Sequence, residues 1–75
     1  MSKLNIFILD NLDNLKKELT INKPKTYNEL MKYLSNKNKL YEIFIYENNK
    51  IIINNEDKYK QIKDIIFIKE IKNDI

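Results

Sequence analysis

One short segment of the chain has helical periodicity, and the apolar segments on both sides of it have the period of strands. Thr26-Tyr27-Asn28-Glu29 fits the capping box, in which the Thr26 hydroxyl accepts from the Glu29 amide and the Glu29 carboxylate accepts from the Thr26 amide. Apolar side chains then follow at helical spacing: Tyr27, Leu30, Met31 and Leu34. The pattern predicts a helix from about Tyr27 to Ser35 that ends in the Asn36–Asn38 cluster. Because so short a helix is unstable alone, its apolar stripe must pack against other elements.

The remaining apolar segments alternate with period two or form a short continuous run, as strands do. The predicted strands are Leu4–Leu9, Lys16–Asn22, Leu40–Glu47, Lys50–Ile53 and Ile65–Ile71. The chain contains no Gly, and Asn-rich clusters mark its turns instead, because Asn tolerates the left-handed conformation. Asn48-Asn49 is predicted as a two-residue type I′ turn. The run at Ile65–Ile68 is typical of a central strand, and Glu56–Ile62 can hold one helical turn with Tyr59 and Ile62 inward.

The order β-β-α-β-β-β predicts a single α+β domain over residues 1–75, with one helix across an antiparallel or mixed sheet. Alternation assigns one face of the sheet to aliphatic side chains beneath the helix: Leu4, Ile6, Ile8, Leu19, Ile21, Ile43, Ile45, Ile66 and Ile68. It assigns the opposite, outer face to Phe7, Phe44, Tyr46 and Phe67, with Ile65 beside them. Aromatic side chains on an exposed face, rimmed by Lys and Glu, are typical of a protein interface.

Three segments resemble the β-grasp fold of the ubiquitin-like superfamily. Asn5-Ile6-Phe7-Ile8 is similar to its first strand, Pro24–Leu34 to the start of its helix, and Tyr59 followed by Ile62 to its tyrosine-bearing turn. The resemblance spans about residues 3–71 and implies a ββαβββ mixed sheet with one helix packed across it. It further implies a non-catalytic protein-interaction module, or a small subunit of a larger assembly, that binds another protein through the sheet face opposite the helix. The predicted contact residues are Phe7, Phe44, Tyr46, Phe67 and Lys69, with Phe44 at the family's central apolar contact.

The sulfur-carrier proteins of thiamine and molybdopterin synthesis form the alternative branch. Their short link from helix to third strand and their Asn-bearing hairpin resemble Lys37–Lys50. These carriers act through a C-terminal Gly-Gly carboxylate, whereas this chain ends Glu70-Ile71-Lys72-Asn73-Asp74-Ile75. The alternative is therefore a degenerate carrier that lacks Gly-Gly, and a longer native C-terminus ending in Gly-Gly would restore the hypothesis.

The basic charge is weak support for a nucleic-acid partner. The chain has 14 basic residues, all of them Lys, against 11 acidic ones, a formal net charge of +3. Loss of Arg, Gly, Ala and Val with a gain of Lys, Asn and Ile indicates codon bias in an AT-rich genome. A phosphate-binding surface usually keeps Arg for bidentate contacts. Weak nucleic-acid binding by Lys interleaved with Tyr is accordingly only the third hypothesis.

The absence of Cys and His excludes disulfides, thiolate or imidazole metal sites, and Ser/His or Cys/His nucleophilic catalysis. The close acidic pairs Asp10/Asp13 and Glu56/Asp57 fall in turns and are explained as turn residues. No enzyme activity, cofactor or metal is predicted. No apolar run approaches the length of a membrane span, so we expect no membrane partner and an intracellular protein, cytoplasmic or nuclear, or a domain of a longer chain. Self-association through an edge strand remains open.

Overall fold

The computed structural model describes residues 2–34 and 40–71, which form a small α+β fold with a five-stranded mixed sheet and two helices. The strands are β1 Lys3–Leu9, β2 Leu15–Asn22, β3 Leu40–Glu47, β4 Asn49–Ile52 and β5 Ile65–Ile71. The helices are α1 Tyr27–Leu34 and α2 Glu56–Tyr59. Every strand boundary lies within one residue of its prediction. The predicted helix end at Ser35, the Asn36–Asn38 turn and the chain after Ile71 lie outside the described residues.

The sheet has the strand order β2-β1-β5-β3-β4, so β5 is its central strand. This position confirms the prediction from the apolar run at Ile65–Ile68. β5 pairs in parallel with β1 and antiparallel with β3, and the β1–β2 and β3–β4 neighbours are antiparallel. β2 and β4 are the edges, and self-association through either one stays a prediction. Neither α1 nor α2 is long and apolar enough to cross a membrane.

The hydrophobic core lies between the inner face of the sheet and the two helices. Its fully buried side chains include Leu4, Ile6, Ile66 and Ile68 from the strands and Leu30 from α1. Every other side chain predicted to face inward also belongs to this cluster or packs against it: Ile8, Leu19, Ile21, Tyr27, Met31, Leu34, Ile43, Ile45, Tyr59 and Ile62. Full burial of one such side chain contributes about 1.5–3 kcal/mol, which is how a domain this small offsets its conformational entropy.

The start of α1 is capped by its own side chains and by α2. The Glu29 amide donates to the Thr26 hydroxyl at 3.1 Å, as the capping box predicts. The Glu29 carboxylate accepts from the amide of Lys25 at 3.0 Å, one residue earlier than predicted. The Tyr27 amide donates to both carboxylate oxygens of Glu56, each at 3.2 Å. The first turn of α1 is therefore satisfied partly by a residue from a distant segment of the chain.

The hairpin between β3 and β4 differs from the predicted two-residue turn. Asn48 has φ 65°, whereas Asn49 already belongs to β4 and pairs with Glu47. A type I′ turn needs positive φ at both of its central residues, so that prediction is wrong. The shorter turn sets the register of β4 and hence the face on which each of its side chains lies.

The loop between β1 and β2 is organised by Asp10, which lies in the predicted turn. The Asp10 carboxylate accepts from the amides of Leu12 at 2.8 Å and Asn14 at 2.9 Å, while Asp13 adopts φ 64°. The backbone hydrogen bonds from Asn14 and then Leu12 lower the pKa of Asp10 below its ordinary value of 3.8. This carboxylate stabilises a loop and has the structural role assigned to it from the sequence.

Candidate functional site

The outer face of the sheet, opposite α1, carries a row of phenylalanines across three adjacent strands. The register places Phe7 of β1 beside Phe67 of β5, and Phe67 beside Phe44 of β3. The rings of Phe7 and Phe67 are stacked with centroids 5.5 Å apart, and those of Phe67 and Phe44 with centroids 5.6 Å apart. Tyr46 lies edge-on to Phe44 at 5.5 Å and to Phe67 at 5.4 Å. Four of the five predicted contact residues therefore form one aromatic cluster.

Phe44 lies on the predicted face, but its side chain is buried, with only 1% of its surface exposed. Phe67 stacks on it, Tyr46 packs against it edge-on, and the Lys50 ammonium lies 4.4 Å from the ring centroid. Phe44 is therefore a buried residue and not the exposed central contact that the sequence predicted. Alternation along a strand shows which face a side chain lies on, but not what covers it there.

Lys50 is held over Phe44 by Glu42. The register pairs Lys50 with Tyr46, and its ammonium extends across the Phe44 ring to Glu42 Oε1, at 2.5 Å. The interaction with Glu42 raises the pKa of Lys50 above its ordinary value, against the opposing effect of burial. An ammonium over an aromatic face is also attracted by the quadrupole of the ring. Lys50 and Glu42 thus close one side of the aromatic cluster.

The exposed part of this face is an aromatic patch, defined as Phe7, Phe67, Tyr46, Ile65 and Ile52. Phe7 and Phe67 are half-buried, while Tyr46, Ile65 and Ile52 are 60%, 41% and 40% exposed. The β3–β5 pairing ends at Phe44 and Phe67, and a shallow depression of about 350 Å³ lies beyond that point. Tyr46, Ile65 and Phe67 line its apolar wall, and charged side chains lie on its rim: Glu47, Lys63 and Asp64.

Lys69, the fifth predicted contact residue, lies on the outer face on the other side of the phenylalanine row from Tyr46. It is opposite Leu9 on β1 and Glu42 on β3. Its ammonium pairs with Asp13 Oδ1 at 2.9 Å, so it connects β5 to the loop between β1 and β2. The structure therefore places Lys69 next to the cluster but engaged with another residue of the chain.

Ile52 is the member of the patch that the sequence prediction missed. The predicted two-residue turn pairs Phe44 with Ile53 and would place Ile53 and Ile51 on the outer face. The observed register pairs Phe44 with Ile52 instead, and Ile53 is buried in the core. Only the correct turn length would have identified Ile52, since one residue reverses the faces of a strand.

Within residues 2–34 and 40–71, no three acidic side chains converge in a way that could hold a metal ion. The carboxylates of Asp10 and Glu56 each accept backbone N–H groups instead. No family model, curated protein or solved structure matches this chain. The contacts described above are therefore the basis for assigning a function.

Proposed function

We propose that this protein is a non-catalytic interaction module of the β-grasp, ubiquitin-like type, which binds another protein through the aromatic patch. The strand order β2-β1-β5-β3-β4 with α1 on one face is compatible with that fold. The observation that carries the proposal is the patch itself. No described element covers it, although it contains large aromatic side chains on the central strands.

The physical properties of the patch suit a binding surface. Phe7 and Phe67 are ordered by stacking, so little conformational entropy remains to be lost when a partner contacts their exposed edges. Tyr46 combines a large apolar ring with a hydroxyl that can hydrogen-bond at the rim, the combination that makes Tyr frequent at interfaces. The buried Phe44 supports these rings from within the cluster instead of contacting the partner. No described contact favours the sulfur-carrier alternative.

The test compares two tyrosines of similar exposure on opposite sides of the molecule. Tyr46 is 60% exposed in the patch, and Tyr33 is 55% exposed on α1. A partner captured from an extract of the cells that express the protein is purified, and its affinity is measured by titration calorimetry. We expect Tyr46→Ser to weaken binding at least about tenfold, as for an interface hot spot, and Tyr33→Ser to leave it nearly unchanged.

Amide chemical-shift changes on addition of the partner locate the contact surface directly. We expect the largest changes at Phe7, Tyr46, Ile65 and Phe67. Changes confined to α1, or equal losses of affinity in the two tyrosine variants, would contradict the proposal. Thermal denaturation of both variants separates a loss of binding from a loss of folding.

A further inference from the structure

A second concavity, which shares no lining residue with the depression beside the aromatic patch, lies where the segment after β2 meets the end of α2. Its volume is about 400 Å³, and it is lined by Ser2, Asn22, Lys23, Lys25, Tyr59 and Lys60, among others. Small-molecule sites in proteins have volumes of about 300–1,000 Å³. We refer to this concavity as the lysine pocket, after Lys23, Lys25 and Lys60.

Lys23 provides a fixed positive charge in the lysine pocket. Its ammonium donates to the carbonyl oxygens of Ile62 at 2.6 Å and Lys63 at 3.0 Å. These carbonyls orient the ammonium but carry no formal charge, so its charge is not neutralised. An ammonium has three donors, and two are used, which leaves one for a ligand.

The other two lysines are also without an acidic partner. Across residues 2–34 and 40–71, no carboxylate forms an ion pair with Lys23, Lys25 or Lys60, whereas Lys16, Lys50 and Lys69 each have one. The neighbouring carboxylates of Glu29 and Glu56 accept from the backbone amides of Lys25 and Tyr27. These two carboxylates keep their negative charge and offset part of the positive charge of the three ammonium groups, which still outnumber them. An anion can therefore pair with ammonium groups that have no ion-pair partner of their own.

We propose that the lysine pocket binds a phosphate monoester. Such a group carries about −1.5 to −2 charge at pH 7 and has three acceptor oxygens. It can therefore pair with several ammonium groups at once, whereas a ligand carboxylate has a single negative charge. Lysine serves as a point-charge ligand for phosphate in many proteins. Pro24, together with the small part of Tyr59 that remains exposed (3% of its surface), provides an apolar wall beside the lysines for the organic part of the ester.

Codon bias explains why the chain has many lysines but not why three unpaired ones share one concavity. A nucleic-acid surface would be expected to distribute its cations along an extended track. The lysine pocket is instead local, and a compact phosphate ester fits that arrangement better.

The experiment follows amide chemical shifts of the full chain during titration with inorganic phosphate and with phenyl phosphate. We expect saturable changes at Lys23, Lys25, Tyr59 and Lys60, and tighter binding of phenyl phosphate because of the apolar wall. Lys25→Gln and Lys60→Gln should each weaken binding about three- to fivefold, as for loss of an exposed ion pair. Lys17→Gln on β2 removes the same charge outside the pocket and should leave the affinity unchanged.

Further arms identify the source of the phosphate. A phosphoserine peptide that binds more tightly than phenyl phosphate indicates a protein ligand, and the reverse order indicates a free metabolite. The Tyr46→Ser variant should bind phenyl phosphate as the unmodified chain does, which keeps this test separate from that of the aromatic patch. The proposal is overturned if Lys17→Gln weakens binding as much as Lys25→Gln does. It also fails if the unphosphorylated form of the peptide binds as tightly as the phosphoserine peptide. The same holds if an oligonucleotide binds and the Lys17→Gln, Lys25→Gln and Lys60→Gln variants weaken that binding equally.

Discussion

Phe44 behaves as a core residue although it lies on the side of the sheet away from the hydrophobic core. Two other rings and the Lys50 side chain cover it, so it is as inaccessible to water as the aliphatic side chains beneath α1. Aromatic pairs of this geometry contribute about 0.5–1.5 kcal/mol beyond the area they bury. The outer face therefore has its own small packed cluster, and Phe44 is its centre.

This burial predicts a large effect of removing the Phe44 ring. We expect Phe44→Ala to lower the free energy of unfolding by about 3–5 kcal/mol, the usual range for a buried Phe. The control Ile65→Ala, at an exposed position of the same face, should lower it by only about 1 kcal/mol. Urea denaturation measures both. If Phe44→Ala leaves the chain unfolded, Phe44→Leu keeps much of the side-chain volume, and its loss of unfolding free energy should lie between those of Phe44→Ala and Ile65→Ala. Equal losses in Phe44→Ala and Ile65→Ala would contradict the burial of Phe44.

At the scale of elements, α1 depends on groups outside itself. Its eight residues are too few to form a stable isolated helix. Residues just before and within its first turn supply one part of the cap, and Glu56 of α2 supplies another through the Tyr27 amide. The capping box and the apolar stripe could be predicted because their residues are close in sequence. The contribution of Glu56 could not, because it depends on where α2 packs.

We therefore expect Glu56→Ala to destabilise the protein by about 1 kcal/mol, as for the loss of a helix cap. Asp57→Ala removes a neighbouring exposed carboxylate of α2 and should change stability by less than about 0.5 kcal/mol. Amide hydrogen exchange provides a local measurement, since the Tyr27 amide should exchange faster in Glu56→Ala and at its normal rate in Asp57→Ala. Unchanged exchange at Tyr27 in both variants would show that Glu56 does not cap α1.

At the scale of the whole molecule, Tyr59 joins two segments that are distant in sequence. Its hydroxyl donates to the Pro24 carbonyl, and its ring lies edge-on to Tyr27 with centroids 6.4 Å apart. Burial, followed by the nearby charges of Glu56 and Glu29, raises the pKa of Tyr59 above its ordinary value of 10.0. The contact links the start of α1 to the connection that precedes the central strand.

The raised pKa of Tyr59 predicts a loss of stability in alkaline solution. Between pH 10.0, where the unfolded tyrosine ionises, and the higher pKa of the folded state, only the unfolded chain releases this proton. Stability from the neutral phenol is thus fully present below pH 10.0 and is lost as pH rises through the folded pKa. We expect the difference in unfolding free energy between the unmodified chain and Tyr59→Phe to decrease above this pH. Parallel profiles for the chain and Tyr59→Phe would contradict the assignment.

The local pattern of residues by itself determined the elements of this fold and most of their faces. Alternation, helical spacing and the capping box act over a few residues, so the strands, α1 and the inner aliphatic core were predictable from the sequence. The outer position of Phe7, Phe44 and Phe67 was predictable for the same reason.

Only the tertiary structure decided what covers each side chain. A turn one residue shorter than predicted placed Ile52 and Lys50 on the outer face, where Lys50 reaches across Phe44 to Glu42. The same holds for Lys23, Lys25 and Lys60, which come from two separate segments and share a pocket only because α2 packs beside the segment between β2 and α1. Alternation along a single strand sets the face on which a side chain lies. What buries that side chain, and which charge it pairs with, depend on residues that the fold brings from elsewhere in the chain.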